Sequence, residues 1–295
     1  MATHSPSIIA EFSAQSAAFR FVALLAGEVS KGQVDLPAFP EAVARVKAAL
    51  SDENVTPAMI AKVVASEAGL AARLMTMANS AIMNPSGTPI TELKSAIVRI
   101  GYNNVRASSV AYAVAKLRQA GELQAIRDQL ELLWKEATGT ASLCHVIARR
   151  TPQINADEAM LTGLVHNIGK VYILSRSQRQ SDAAFHIADT TAIVRDWHAN
   201  VGKAIVESWK FAPHIAAAIG DYEDQERVLR QADLGDVLNV ASQLYPYLEQ
   251  PDQPLSELLV CNGSCQRLGL DARALQQVRV DGAAALKELR TALGA

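Results

Sequence analysis

The sequence has few aromatic residues and no long apolar run. Phe, Trp and Tyr together make up 5% of its 295 residues. No segment approaches the ~20 consecutive apolar residues of a membrane span. The amino-terminal segment has no basic start, and Glu11 and Arg20 interrupt its apolar positions, which argues against a signal peptide. We therefore expect a soluble, cytoplasmic protein that does not insert into a membrane.

An excess of charge of either sign is also missing. The 28 Lys and Arg residues nearly balance 30 Asp and Glu residues, for a net charge of -2. Such a chain has no overall field that would attract a phosphate backbone, so nucleic-acid binding is disfavoured. Short basic clusters occur at Arg149, Arg150, Arg176 and Arg179. They could bind a nucleotide or an acidic partner, but a solvated surface is the simpler interpretation.

Cysteine is scarce, with three residues in all: Cys144, Cys261 and Cys265. An odd number without a disulfide-framework spacing is typical of a reducing cytoplasm. Cys261 and Cys265 are four residues apart, which predicts that they share a helix face. They could form a metal or redox pair, or they could be two small buried residues. We prefer the second interpretation.

The residues that are present predict an all-α fold. Apolar residues, 49% of the chain, recur at spacings of three and four, and alternating strand patterns are absent. The length allows one large domain or two ordinary ones. The predicted helices cover residues 6–30, about 40–50, 57–65, 69–79, 91–99, two segments within 102–150, 155–169, 188–208, 212–221, 229–247, 255–268 and 271–293.

Several helix ends have specific signals. Thr56-Pro57, Thr91 and Asn155 are predicted to begin helices, and Gly101 and Gly169 to end them. Asn79-Ser80 lies just past a helix, where we expect Asn79 to adopt left-handed dihedral angles and close the helix end. This explains the Asn-Ser pair without a functional role.

One segment carries a chemical signature. Residues 163–170, GLVHNIGK, resemble the GLLHDIGK signature of HD-class metal-dependent phosphohydrolases, with Asn167 in place of the aspartate. Further segments resemble the HDOD family, the HD-related output domain; they are LPAFP at 36–40, LMTMANSA at 74–81, AIVRIG at 96–101, Trp134, and WHANVG at 197–202 followed by Trp209 and Pro213. The resemblance covers about residues 20–290.

The resemblance implies a multi-helical HDOD bundle with an amino-terminal helical subdomain. We expect an amino-terminal helix at 1–30, an HDOD domain at 31–250 and a carboxyl-terminal helical extension at 251–295. Within the HDOD domain, the helical subdomain would cover 31–120 and a degenerate HD-like subdomain 121–250.

The resemblance also identifies the positions where HD-class enzymes hold their metal. The first histidine corresponds to Glu136, the His-Asp pair to His166 and Asn167, and the distant aspartate to Ser242. An auxiliary His-His pair of many family members corresponds to Asp221-Tyr222. Because asparagine brings no charge to a dication, the resemblance implies a vestigial site with no metal, no other cofactor and no catalytic residues.

Two functions follow from this pattern. The preferred one is a non-enzymatic bacterial regulatory protein that contacts a signalling partner, as a free-standing HDOD member in motility, stress or cyclic-di-GMP-linked pathways. The alternative is a metal-dependent phosphohydrolase or phosphodiesterase that uses His166 with substitute ligands. A set of His145, His166 and His198 is conceivable, but a histidine on an apolar helix is more often a core residue. No sequence pattern indicates an oligomeric state.

Overall fold

The fold is all-α, as predicted. The structure, a computed structural model, describes residues 6–31, 41–81, 83–117, 120–179, 187–224, 227, 230–250 and 252–293. These residues form α-helices joined by turns and by two short 3-10 segments, Gly121–Ile126 and Tyr245–Tyr247, with no strand among them. The predicted segment at 36–40 lies outside the described residues.

The amino-terminal helices follow the predicted order. They are α1 (Pro6–Ser30), α2 (Glu41–Ala49), α3 (Pro57–Val64), α4 (Ala68–Ala78) and α5 (Leu93–Leu117). The Thr56 hydroxyl accepts a hydrogen bond from the Met59 amide at 3.3 Å, which confirms the predicted start of α3. Helix α5 begins at Leu93, two residues after the predicted cap at Thr91. The break predicted at Gly101 is present, because its φ of 74° and ψ of 161° are dihedral angles open essentially to glycine alone.

The carboxyl-terminal helices build the larger part of the core. They are α6 (Arg127–Ala148), α7 (Ala156–Val165), α8 (Ile168–Ser177), α9 (Ile187–Ser208), α10 (Pro213–Asp221), α11 (Leu234–Leu244), α12 (Glu257–Val260), α13 (Gly263–Leu268) and α14 (Ala272–Leu293). The Asn155 side chain accepts from the Asp157 and Glu158 amides and caps α7, as predicted. The predicted helix end at Gly169 is wrong: α7 ends at Val165, and Gly169 lies in the first turn of α8.

Helices α6 and α9 each pack against at least three other helices. Helix α6 packs against α7, α11 and α14, while α9 packs against α1, α8 and α10. Leu130 of α6 and Tyr172 of α8 are fully buried, and each buried side chain of this size contributes roughly 1.5–3 kcal/mol. Glu28 of α1 accepts hydrogen bonds from Tyr172 and Arg176, which fixes α8 between α1 and α6.

The Asn79-Ser80 pair has a structural role, although the predicted dihedral angles are wrong. Asn79 has φ of -97° and ψ of 0°, outside the left-handed region. Its amide instead donates to the carbonyl groups of Met75 and Ile90, and its oxygen accepts from the Ile90 amide at 2.8 Å. The side chain therefore ties the connection after α4 to the helix end, and the backbone needs no left-handed residue there.

The cysteine prediction is half wrong. Cys265 is buried in α13, but Cys261 is exposed at the end of α12, so the two do not share a helix face. The chain is interrupted by Asn262, whose side chain accepts from the Ser264 amide and starts a new helix. Separately, none of the described helices combines the length and apolar composition that a membrane crossing requires.

Candidate functional site

Glu136 and His166 lie together, although they come from different helices. Glu136 projects from α6, and His166 caps the carboxyl end of α7. The Glu136 Oε1 atom lies 3.7 Å from His166 Nε2 and 3.1 Å from the ammonium of Lys170 in the first turns of α8. Two positions that the resemblance identified as vestigial ligands are therefore adjacent, and Lys170 pairs with one of them, Glu136.

The His166 ring is fully buried and held by one hydrogen bond. Its Nδ1 lies 2.7 Å from the Gly163 carbonyl oxygen. Because a carbonyl can only accept, Nδ1 carries the proton of this bond. Nε2 faces Glu136 and has no hydrogen-bond partner among the described residues. The ring is thus oriented as a ligand histidine would be, but a carboxylate lies beyond it.

The Asn167 side chain bonds to the backbone of α6. Its amide nitrogen donates to the Leu133 carbonyl oxygen at 2.7 Å, and the side chain is 4% exposed. This bond ties the junction between α7 and α8 to α6. An ionised aspartate could not donate it, so asparagine at this position is explained by the packing of the junction.

A second group of polar side chains lies beside His166. The Tyr222 ring contacts the His166 ring edge-on, with centroids 5.9 Å apart. The Tyr222 hydroxyl donates to Glu223 Oε1 at 2.9 Å, and His198 Nε2 lies 3.2 Å from both of those oxygens. His166, His198 and Tyr222 are buried, Glu136 and Lys170 are partly buried, and Glu223 lies at the solvent-exposed edge. We call this set of six residues the buried polar cluster.

Lys170 supplies positive charge to both carboxylates of the cluster. Burial by itself would raise the pKa of Glu136, but the His166 ring and the Lys170 ammonium outweigh it and lower that pKa to about 2. The hydrogen bond from His198, aided by the Lys170 charge, lowers the pKa of Glu223. Burial, with the charges of Glu223 and Glu136, raises the pKa of Tyr222. The carboxylates of the cluster are therefore ionised and the phenol is neutral at neutral pH.

The lowered pKa of Glu136 predicts an acid-sensitive contribution to stability. A carboxylate whose folded-state pKa is depressed stabilises the fold above its unfolded pKa and loses that contribution as the pH falls through the folded value. The window here runs from about 4.5 down to about 2. After allowance for partial exposure, we expect the wild type to lose about 2 kcal/mol from this residue. Urea unfolding of wild type and Glu136→Gln across this window measures the difference, and parallel pH curves would contradict the assignment.

The donor set does not fit a divalent metal. HD-class enzymes surround their metal with imidazole nitrogens and carboxylate oxygens, which suit first-row divalent cations. Here the available donors are His166 Nε2 and Glu136, and the Lys170 ammonium lies against the same carboxylate oxygen. Within the described residues, no group of three or more His, Cys, Asp or Glu side chains could hold a metal ion. A dication at this position would need further ligands, and the Lys170 ammonium would repel it.

Ser242 and His145 bond to backbone carbonyl groups outside the buried polar cluster. The Ser242 hydroxyl donates to the Asn239 carbonyl oxygen at 2.9 Å within α11. His145 is nine residues beyond Glu136 on α6, about 14 Å along the axis at 1.5 Å per residue. Its Nδ1 lies 3.3 Å from the Ala156 carbonyl oxygen. The alternative set of three histidines is therefore not assembled, since His145 is remote from His166.

Three of the four clustered arginines pair with carboxylates of other segments. Arg150 contacts Asp281 at 2.7 Å, and Arg179 contacts Glu122 at 3.1 Å. Arg176 pairs with Glu28, as described above. These residues connect helices rather than form one basic surface.

Lys170, His198 and Glu223 are the members of the cluster that sequence reasoning did not select for a role. Lys170 is part of the GLVHNIGK segment, so its position four residues after His166 was a usable signal. His198 was interpreted as a core residue, and it is 4% exposed. Glu223 lies in a turn after α10, where no periodicity predicts the direction of a side chain.

The family model of the HDOD domain matches residues 36–225, more than half of the chain. The chain belongs to the HDOD family. The match spans all six residues of the buried polar cluster, from Glu136 to Glu223, so the whole cluster lies within the HDOD domain. A search of curated proteins finds no match to this HDOD protein.

Solved structures share the fold of this HDOD protein at low sequence identity. A candidate metal-dependent phosphohydrolase from Shewanella amazonensis SB2B is 21% identical, with a TM-score of 0.64 over 92% of this chain and 99% of that one. An HDOD domain protein of unknown function from Geobacter sulfurreducens is 23% identical, with a TM-score of 0.57 over 90% and 97%. A candidate signal transduction protein from Marinobacter aquaeolei VT8 is 17% identical, with a TM-score of 0.56 over 98% and 66%. At these identities the likeness shows the fold alone.

Proposed function

We propose that this HDOD protein is a non-enzymatic regulatory protein of bacterial signalling, which acts through contacts with a protein partner. The observation that carries the proposal is the Lys170 ammonium on Glu136, 3.1 Å from its carboxylate oxygen. The Lys170 ammonium neutralises the Glu136 carboxylate, so this carboxylate is not free to bind a metal. Water activation by a metal, the chemistry of the HD class, then has no centre at which to occur.

Two further observations support the proposal. Asn167 uses its amide for packing, through the Leu133 carbonyl, and the Tyr222 ring covers one side of His166. The fold is shared with a candidate signal transduction protein, which fits a regulatory role for the HDOD scaffold. The pathway, whether motility, stress or cyclic-di-GMP-linked, belongs to the same proposal and rests on the family alone.

Metal analysis of the purified protein tests this function. We expect protein from cells grown with iron, manganese and zinc to hold less than about one-tenth of a metal ion per chain. A structural site would hold close to one, because its metal is bound tightly. We also expect phosphodiesterase turnover no higher than that of the His166→Ala variant. Stoichiometric metal, together with turnover that His166→Ala abolishes, would establish the phosphohydrolase alternative instead.

A variant that restores ligands separates loss of ligands from loss of the fold. Glu136→His combined with Asn167→Asp would supply two imidazoles and a carboxylate around the position of His166. We expect this variant to bind zinc at micromolar concentration, since three protein ligands suffice for a catalytic type of site. Adding Lys170→Met should strengthen binding further, because it removes a repelling charge. Zinc binding to the wild type that equals binding to these variants would contradict the proposal.

A further inference from the structure

A small cleft between the amino-terminal helices and the end of α9 is lined by two cationic side chains. It is lined by Val43, Val46, Lys47, Arg106, Ser109, Val110 and Trp209, and we call it the cationic cleft. The Lys47 ammonium lies 5.9 Å from the centre of a Trp209 ring, and the Arg106 guanidinium lies 5.5 Å from the centre of the Phe211 ring. Aromatic faces attract cations, but they do not neutralise the charge.

Arg106 is buried, and none of the described carboxylates pairs with it. The residue is 9% exposed, and its Nη2 donates to the Leu50 carbonyl oxygen at 3.0 Å. Its Nη1 donates to Asn103 Oδ1 at 3.5 Å. Its Nε is buried and finds no hydrogen-bond partner in the part of the chain that the structure describes. A buried charge normally needs both a partner charge and complete hydrogen bonding. The Nε–H group of Arg106 is therefore a buried donor that an acceptor atom could satisfy.

Lys47 shares this situation. It lies in the last turn of α2, half-buried, and no carboxylate of the described residues pairs with it. Burial lowers the pKa of both Lys47 and Arg106, with no neighbouring charge acting against it. Other partly buried arginines differ, since Arg176 and Arg267 each pair with a carboxylate. The uncompensated charge is a feature of this cleft.

We propose that the cationic cleft is an anion-binding site, in which Arg106 Nε and the Lys47 ammonium hold one anionic atom. The cavity volume is about 10 Å³, which is room for roughly one water-sized atom. The ligand is thus chloride, or one oxygen of a phosphate group whose remainder lies outside the cleft. The site is distinct from the buried polar cluster, and its function does not depend on the role proposed for that cluster.

Thermal unfolding of the full chain in different sodium salts tests the site. Chloride and phosphate form the two arms, with gluconate at equal ionic strength as a bulky reference anion. An anion that binds only the native state raises the melting temperature by mass action. We expect a rise that saturates in the millimolar range in at least one arm, and the arm with the lower midpoint identifies the ligand. General salt effects on stability increase without saturation.

Matched variants locate the effect. Lys47→Met removes one donor at a partly exposed position, and we expect about a tenfold higher midpoint, because charge-assisted hydrogen bonds are the strong ones. Lys62→Met removes the same charge from the last turn of α3, where the residue is exposed, and should leave the midpoint unchanged. Arg106→Met should abolish saturation. If Arg106→Met fails to fold, the comparison of Lys47→Met with Lys62→Met decides.

Three results would overturn the proposal. One is an equal, unsaturated rise in all three salts, and another is a midpoint that Lys47→Met leaves unchanged. The third is a wild-type melting temperature that responds to neither chloride nor phosphate.

Discussion

Replacing Gly169 by alanine is expected to destabilise the native state by about 3–4 kcal/mol. A Cβ atom on Gly169 would lie 2.0 Å from the His198 carbonyl oxygen and 2.7 Å from the Gly202 amide nitrogen. Both atoms belong to the backbone of α9, so no change of side-chain rotamer can make room. Helices α8 and α9 would have to move apart, and Lys170 and His198 would move with them.

The measurement is urea unfolding of the Gly169→Ala variant beside a matched control. Gly27 is also a helical glycine, but a Cβ there would meet nothing within 4 Å. Gly27→Ala should therefore be neutral or stabilise the fold by up to ~1 kcal/mol, the helix propensity difference between the two residues. If both variants unfold at the wild-type urea concentration, α8 and α9 do not approach as closely as the structure has them.

The helices could be predicted because each buries one face. The regular spacing of apolar residues locates α1, α3, α9 and α14 to within one or two residues of their observed bounds. Helix ends were less accurate where tertiary contacts decide them. The glycine at 169 was predicted to end a helix, and the close backbone approach of α9 explains it instead. Local rules do not include such contacts between helices.

The candidate site could be predicted only in part, for a related reason. The resemblance paired Glu136 with His166, and these two side chains are adjacent. It included Lys170 in the GLVHNIGK segment but did not indicate its contact with Glu136, because a sequence pattern does not give the atom that a long side chain reaches. Tyr222 was noted only as a missing histidine, yet its ring covers His166. Which side chains contact the former ligand positions depends on how the helices pack, and a sequence pattern does not show this.

The charges of the cluster also explain why its members depend on one another. The positive charge of Lys170 lowers the pKa of both Glu136 and Glu223. Glu136 contacts His166 directly, whereas Glu223 reaches it through Tyr222. Removing Lys170 leaves the Glu136 carboxylate, whose side chain is 27% exposed, without its ion-pair partner, and an unpaired charge that is shielded from water costs more than a missing pair. The cluster is therefore expected to tolerate paired changes better than single ones.

Lys170→Met is the single change that tests this expectation most directly. It removes the ammonium 3.1 Å from Glu136 and leaves a carboxylate that is only 27% exposed. We expect the variant to be less stable than the wild type by about 3 kcal/mol at neutral pH. Lys135→Met, on the exposed face of α6, removes the same charge nearby and should change stability by less than ~0.5 kcal/mol.

A double-mutant cycle with Glu136→Gln distinguishes charge pairing from packing. If the ion pair is the cause, the double variant Glu136→Gln with Lys170→Met should be within ~1 kcal/mol of the wild type, because no unpaired charge remains. If the lysine stem matters more, as long side chains can contribute by covering apolar surface, the double variant would be at least as unstable as Lys170→Met alone. The urea midpoints of the four proteins, measured at neutral pH with equal slopes, decide between the two. A coupling energy near zero would contradict the role of Lys170 as the fixed cation of the site, and with it the main support for a non-enzymatic function.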